Sequence, residues 1–164
     1  MGAGKTSVAT LLAERLSRPL RDSDRDLQAG RGLTAAELLD RYGADHLHDW
    51  EAAHLLSALG DRPPPVVSAA ASVIDRPACR EALRSAFVVW LHAPPEVLAR
   101  RFRSAGHRPR FGEDLVAMLA EQEARRAPHF AEVADVVVDV SVISPEQVVQ
   151  RVLAKELLDG AGSD

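Results

Sequence analysis

Gly4-Lys5-Thr6 is the part of this sequence whose side chains are best suited to chemistry. A glycine, a lysine and a hydroxyl residue in that order close the phosphate-binding pattern G-x-x-x-x-G-K-[ST]. Such a loop aims backbone N–H groups and a helix N-terminus at phosphate oxygens. Lys5 would reach the β- and γ-phosphates of a nucleotide, and Thr6 would give its hydroxyl to Mg2+. Composition sharpens the point. Of 20 basic residues only Lys5 and Lys155 are lysine, the rest being arginine. A lysine in so arginine-rich a chain is expected to be there for its own chemistry. The alternative is a chance Gly-Lys-Thr, and the helical pattern that follows at once speaks against it. Counting back, the first glycine of the pattern would fall upstream of Met1, and no β-strand leads into the loop. The expectation is an N-terminally short chain, with Met1 an internal methionine and the first, central strand missing. Unpaired buried backbone beside that gap would be costly.

A phosphate loop needs a helix behind it and a sheet beneath it. Val8, Leu11, Leu12 and Leu16 predict a helix over 6–18. A short segment from Leu20 ends in Asp22-Ser23-Asp24, and Gly30 and Gly32 are expected to break the chain. Thr34 with Glu37 forms a capping box for a helix ending near Gly43. A further helix is predicted over 44–59, with Leu47, Trp50 and Leu55 in the core. Three prolines then force an extended entry into a strand at 66–68. A helix over 78–83 precedes the clearest strand, 87–91, apolar on both faces as a central parallel strand should be. Pro94 opens the next helix, and a basic loop with glycine and proline covers 105–112. A helix over 113–126, a strand at 136–138 and a last helix from Ser144-Pro145-Glu146 complete the chain. Strands alternating with helices predict an α/β fold with a parallel sheet, in one domain.

The bulk properties exclude several classes. The chain has 164 residues, 46% hydrophobic and 27% charged, which is ordinary for one globular domain. Cys79 is the lone cysteine, so no internal disulfide is possible, and a reducing, cytoplasmic compartment is expected. The net charge of −4 argues against a nucleic-acid-binding surface. No apolar run is long enough to span a bilayer, and no signal peptide is expected. His46, His48 and His54 share one helical segment without trustworthy metal-ligand spacing. Expected partners are therefore small molecules, with no nucleic acid and no membrane, for a monomer.

Taken in order along nearly the whole chain, these segments resemble the shikimate kinase family, small P-loop kinases. Met1-Gly-Ala-Gly-Lys-Thr6 resembles the family's phosphate loop, and Asp22-Ser23-Asp24 its Asp-Ser/Thr-Asp motif. Thr34 to Glu37, Gly43 and Glu51 resemble the helical segment ending in Phe-Arg-x-x-Glu. Arg108-Pro109 resembles the start of the mobile lid, and Arg126-Ala-Pro-His-Phe130 the family's Arg-x-Pro-x-Tyr. The resemblance implies a P-loop three-layer α/β sandwich that moves a phosphoryl group from ATP, with Mg2+, to a hydroxyl of a small carboxylic acid. It implies nucleotide binding by Gly2, Ala3, Gly4, Lys5, Thr6, Ser7, Arg101 and Arg108, and metal binding by Thr6 and, through water, Asp22. Asp24, Lys5 and Arg108 would be catalytic: Asp24 at the acceptor hydroxyl, Arg108 closing over the γ-phosphate from a lid at 105–112. Asp24, His48, Ala70, Ala71 and Arg126 would contact the acceptor, with Arg126 as a fork on its carboxylate. By residue type alone, Asp22 and Asp24 also suit a turn or a helix cap.

Departures from the family pattern cluster on the acceptor side. His48 stands where the family has arginine, Ala70-Ala71-Ser72 where it has three glycines, and Phe130 where it has tyrosine. Glycines let a backbone approach a ligand closely, and methyl groups fill that space. Two alternatives to shikimate phosphorylation follow: a gluconate-like sugar-acid kinase, or a nucleotide-binding protein without kinase activity.

Overall fold

The structure is a computed structural model that describes residues 3–104 and 114–160. The expected lid at 105–112 lies outside them, as do Gly2 and Arg108. Two compact units appear: Ala9–Ala86, and Met1–Val8 with Phe87–Asp164.

Helix α1 (Lys5–Leu16) crosses the boundary between those two segments of sequence. Val8, Ala9, Leu12 and Ala13 form its buried stripe. It ends in a Schellman turn: Ser17 takes the left-handed conformation (φ 52°), and Arg18 N donates to Ala13 O at 2.9 Å.

Within Ala9–Ala86, β1 (Leu20–Asp22) pairs in parallel with β2 (Val66–Ser68), Asp22 opposite Ser68. Parallel neighbours need a long crossover. Here it is three helices: α2 (Ser23–Arg31), α3 (Ala35–Tyr42) and α4 (Ala44–Gly60). The predicted capping box on α3 is present in full, with Thr34 and Glu37 each satisfying the other's backbone N–H. Leu27, Leu38 and Leu47 pack as one cluster, with Trp50 half-buried at its rim. After β2 a 3-10 turn (Ala71–Asp75) leads to α5 (Pro77–Leu83), and Leu55, Val73 and Cys79 form a second cluster. Burial pushes the Cys79 thiol up, so it packs as an apolar group and does not serve as a nucleophile.

In the other unit β3 (Val89–His92) pairs in parallel with β4 (Val136–Asp139), His92 opposite Asp139. Helices α6 (Pro95–Ser104), α7 (Leu115–Val133) and α8 (Pro145–Gly160) complete it. Ser144 caps α8, its hydroxyl receiving Gln147 N while the Gln147 side chain accepts from Ser144 N.

Four local expectations need correction. Gly30 does not break the chain; it lies in the last turn of α2, and Gly32 ends the helix at φ 70°. The third strand begins at Val89, and Phe87 is exposed. Pro94 precedes α6 and only accepts from Val97 N and Leu98 N, so Pro95 is its first residue. The helix expected to end at 126 continues to Val133 through Pro128, forgoing only the bond that a proline nitrogen cannot donate.

Candidate active site

The phosphate-loop residues head α1. Gly4 sits at φ 78°, a region that favours glycine, and turns the chain so that α1 starts at Lys5. A Cβ on Gly4 would meet no atom within 4 Å, so backbone angle rather than crowding requires the glycine. Lys5 and Thr6 are half-buried and Ser7 is exposed. Lys5 makes no ion pair among the described residues.

Beside this turn lies a pocket of about 200 Å³. Ala3, Gly4 and Val8 line it with Arg101, Val140 and Pro145. Arg101 reaches from α6 to the chain after β4, donating Nη2–H bonds to Val140 O at 2.5 Å and Ser141 O at 3.2 Å. A mostly apolar pocket walled by one pinned guanidinium suits a flat aromatic ring, because a guanidinium plane stacks on such rings. Arg101, Ala3 and Gly4, expected to bind nucleotide, are thus brought to one pocket. Val140 and Pro145 carried no signal in the sequence, since a loop carbonyl and a helix-starting proline look like ordinary structure.

Asp22 and Asp24, two residues apart, have different surroundings. Asp22 is 3% exposed and caps α2, its Oδ1 accepting from Arg25 N at 3.1 Å. Asp24 is exposed in the first turn of α2 and takes no hydrogen bond from any described residue. Both lie at the N-terminal end of α2.

Ala70 and Ala71, expected to contact the acceptor, sit half-buried just past the C-terminal end of β2. That end of a parallel strand is where α/β proteins place ligands. Ser72 follows, buried, and its Oγ donates a short hydrogen bond to Oε2 of the buried Glu51. Glu51 is one turn beyond His48 on α4, and His48 is half-buried with no hydrogen bond or ion pair among the described residues. The Ser72–Glu51 contact joins residues 21 positions apart and had no local signature.

Elsewhere in this unit, Asp26 Oδ2 lies 2.7 Å from His54 Nε2 and 2.6 Å from Arg21 Nε. Burial works against the charged form of Asp26, yet the bonds from Arg21 and His54 outweigh it and hold its carboxyl below the usual range. Arg126 lies in the middle of α7, not at its end, and is 8% exposed, with Nη1 3.4 Å from Gln122 Oε1.

Among the described residues no cluster of three or more His, Cys, Asp or Glu could hold a metal by itself. Nor is any described helix long and apolar enough to cross a membrane.

A glycine–lysine–threonine turn at the head of a helix, with parallel strands joined by helices, places the chain among the P-loop kinases. The shikimate kinase family model matches residues 1–156. A shikimate kinase of Symbiobacterium thermophilum is 38% identical over 160 residues, spanning 94% of this chain and 91% of that protein. The structure of a shikimate kinase from Acinetobacter baumannii in complex with shikimate superposes with a TM-score of 0.84 at 25% identity, over 97% of this chain and 89% of that one. For the shikimate kinase from Bacteroides thetaiotaomicron the TM-score is 0.81 at 27% identity, over 97% and 94%. The chain belongs to the shikimate kinase family, small-molecule kinases whose phosphoryl donor is ATP.

Proposed function

We propose that this protein transfers the γ-phosphoryl group of ATP to a ring hydroxyl of shikimate. The observation that carries the reading is the contrast at the head of α2: Asp22 is buried and caps the helix through Oδ1, while Asp24 is exposed and takes no hydrogen bond from any described residue. Phosphoryl transfer is mostly positioning and charge neutralisation, with a carboxylate at the nucleophile and cations around the phosphates. Asp24 orients the acceptor hydroxyl and takes its proton. The Lys5 ammonium and the N–H groups at the head of α1 bind phosphate oxygens. Arg126, whose planar fork suits a carboxylate, holds the acid group of the acceptor. Arg108 closes over the γ-phosphate and keeps water out. Arg101 stacks on the adenine. Arg101→Ala is expected to raise the KM for ATP by about 3–30-fold with kcat little changed, the worth of one guanidinium stacked on a ring. Equal KM values for variant and parent would remove Arg101 from the nucleotide site.

Mg2+ suits the donors offered here, a threonine hydroxyl at Thr6 and a carboxylate at Asp22, because it takes hard oxygen ligands and is commonly held by one carboxylate plus substrate phosphates. When bound it neutralises phosphate charge. Thr6 offers its oxygen directly and Asp22 through water.

A second acceptor, a gluconate-like sugar acid, is favoured by the Ser72–Glu51 bond and by His48, which replace the family's glycine and arginine. ADP release over a panel of shikimate and open-chain sugar acids separates the two. Shikimate is expected to give the highest kcat/KM. The double variant His48→Arg/Ser72→Gly is expected to raise it about tenfold or more, since a guanidinium replaces an imidazole at a carboxylate and a glycine restores close approach. Turnover with a sugar acid and none with shikimate would install the second reading. No turnover with any acid would overturn both.

A further inference from the structure

We propose that His92 is a positioning residue for the acceptor site, holding α7 through Glu123 so that the Arg126 guanidinium stays in place. The inference rests on the reading of Arg126 as the group that binds the acceptor's carboxylate. Leu119, Glu123, Arg126, Phe130 and Val133 recur at helical spacing and share one face of α7. Leu119, Arg126 and Val133 on that face are buried. Glu123 and Phe130 therefore lie one turn to either side of Arg126. Each is met from β3. His92 Nε2 lies 2.5 Å from Glu123 Oε1, and the Trp90 ring stacks on Phe130 with centroids 5.1 Å apart and planes at 17°. Trp90 and His92 point to the same face of the strand and touch edge to face at 5.4 Å. One strand face thus grips α7 at two points that bracket Arg126. His92 is the last residue of β3, at the strand end where such folds put ligands. A charged residue at Glu123 on an inward face has no packing reason to be there; its contact with His92 supplies one. A bidentate fork tolerates little displacement, so loosening one grip acts on carboxylate binding before it acts on the fold.

The test is steady-state kinetics with shikimate and ATP varied separately, for the full chain and for His92→Leu, His92→Gln, Glu123→Leu, the double His92→Leu/Glu123→Leu, and Arg126→Ala. His92→Leu is expected to raise the shikimate KM about fivefold or more, with the ATP KM unchanged within about twofold. His92→Gln, whose amide can still donate to Glu123, is expected to restore it. The double variant is expected to be no worse than either single one, because both remove the same contact. If His92→Leu does not fold, Glu123→Leu carries the same comparison. Shikimate and ATP KM values that rise together, or effects of the two single changes that simply add, overturn the positioning role. A shikimate KM raised by Arg126→Ala but by neither His92→Leu nor Glu123→Leu also overturns it, and leaves the acceptor reading standing. A shikimate KM unmoved by Arg126→Ala overturns the acceptor role of Arg126, and this inference falls with it.

Discussion

Lys5→Ala is expected to lower kcat by about 10²–10³-fold while the protein still folds, because the lost group acts on charge that develops during transfer. Lys5 is the first residue of α1, half-buried and without an ion pair among the described residues. Its ammonium is therefore not spent on stability. A surface-type change of this kind shifts stability by about 0.5 kcal/mol or less, so the melting temperature should hardly move. Lys5→Arg is expected to recover little. A planar fork cannot take the place of a compact point charge beside a helix N-terminus. Rates come from ADP release and folding from thermal melting. A Lys5→Ala protein that turns over within twofold of its parent would mean that the turn at Gly4 does not handle phosphate at all.

The second large effect is expected at Asp24. Asp24→Asn keeps shape and hydrogen-bonding reach but removes the proton acceptor, and a positioned general base is worth about 10²–10⁴-fold. The loss should appear in kcat, with the shikimate KM changing far less. Asp22→Asn makes an informative contrast, since asparagine also caps helices and the stability of α2 should survive. Full activity in Asp24→Asn would leave a nucleotide-binding protein whose acidic motif is only a helix start.

The sequence was readable wherever cause and effect lie within a few residues. Thr34 and Glu37 stand three apart, and the box they form is visible as a sequence pattern. The strands at Val66–Ser68 and Val136–Asp139 stand out by their apolar runs between turn signals, whereas Leu20–Asp22, with two charged residues of three, reads only as a short segment leading to the acidic motif. Helix α2 was not readable. Its sequence holds three acidic residues, including Asp22 at the cap, and a glycine, all poor interior helix formers, and its stability comes from Leu27 packing on Leu38 and Leu47. Nor was the length of α7 readable, because a proline ordinarily ends a helix. Near a helix end a cation needs no further explanation, so only the family resemblance marks Arg126 for the acceptor, whereas the structure buries it at mid-helix. The phosphate turn and the acidic motif are short and contiguous, so both are legible as patterns. The partners of Arg101, Glu51 and His92 come from 39, 21 and 31 positions away, and no periodicity announces them.

The two tryptophans offer an optical handle that the chain provides unaltered. Trp50 belongs to Ala9–Ala86, where the Arg31 guanidinium lies 3.6 Å above its ring and Tyr42 meets its edge. Trp90 belongs to the other unit, face to face with Phe130. Each indole thus reports on one unit, and their surroundings differ enough to give distinct emission. Replacing Trp90 by Phe leaves a fluorophore that sees only the helical crossover. Replacing Trp50 by Phe leaves one that sees only the β3–α7 contact. In the second variant quenching or a spectral shift on adding shikimate is the expected sign of acceptor binding, read at equilibrium and without turnover.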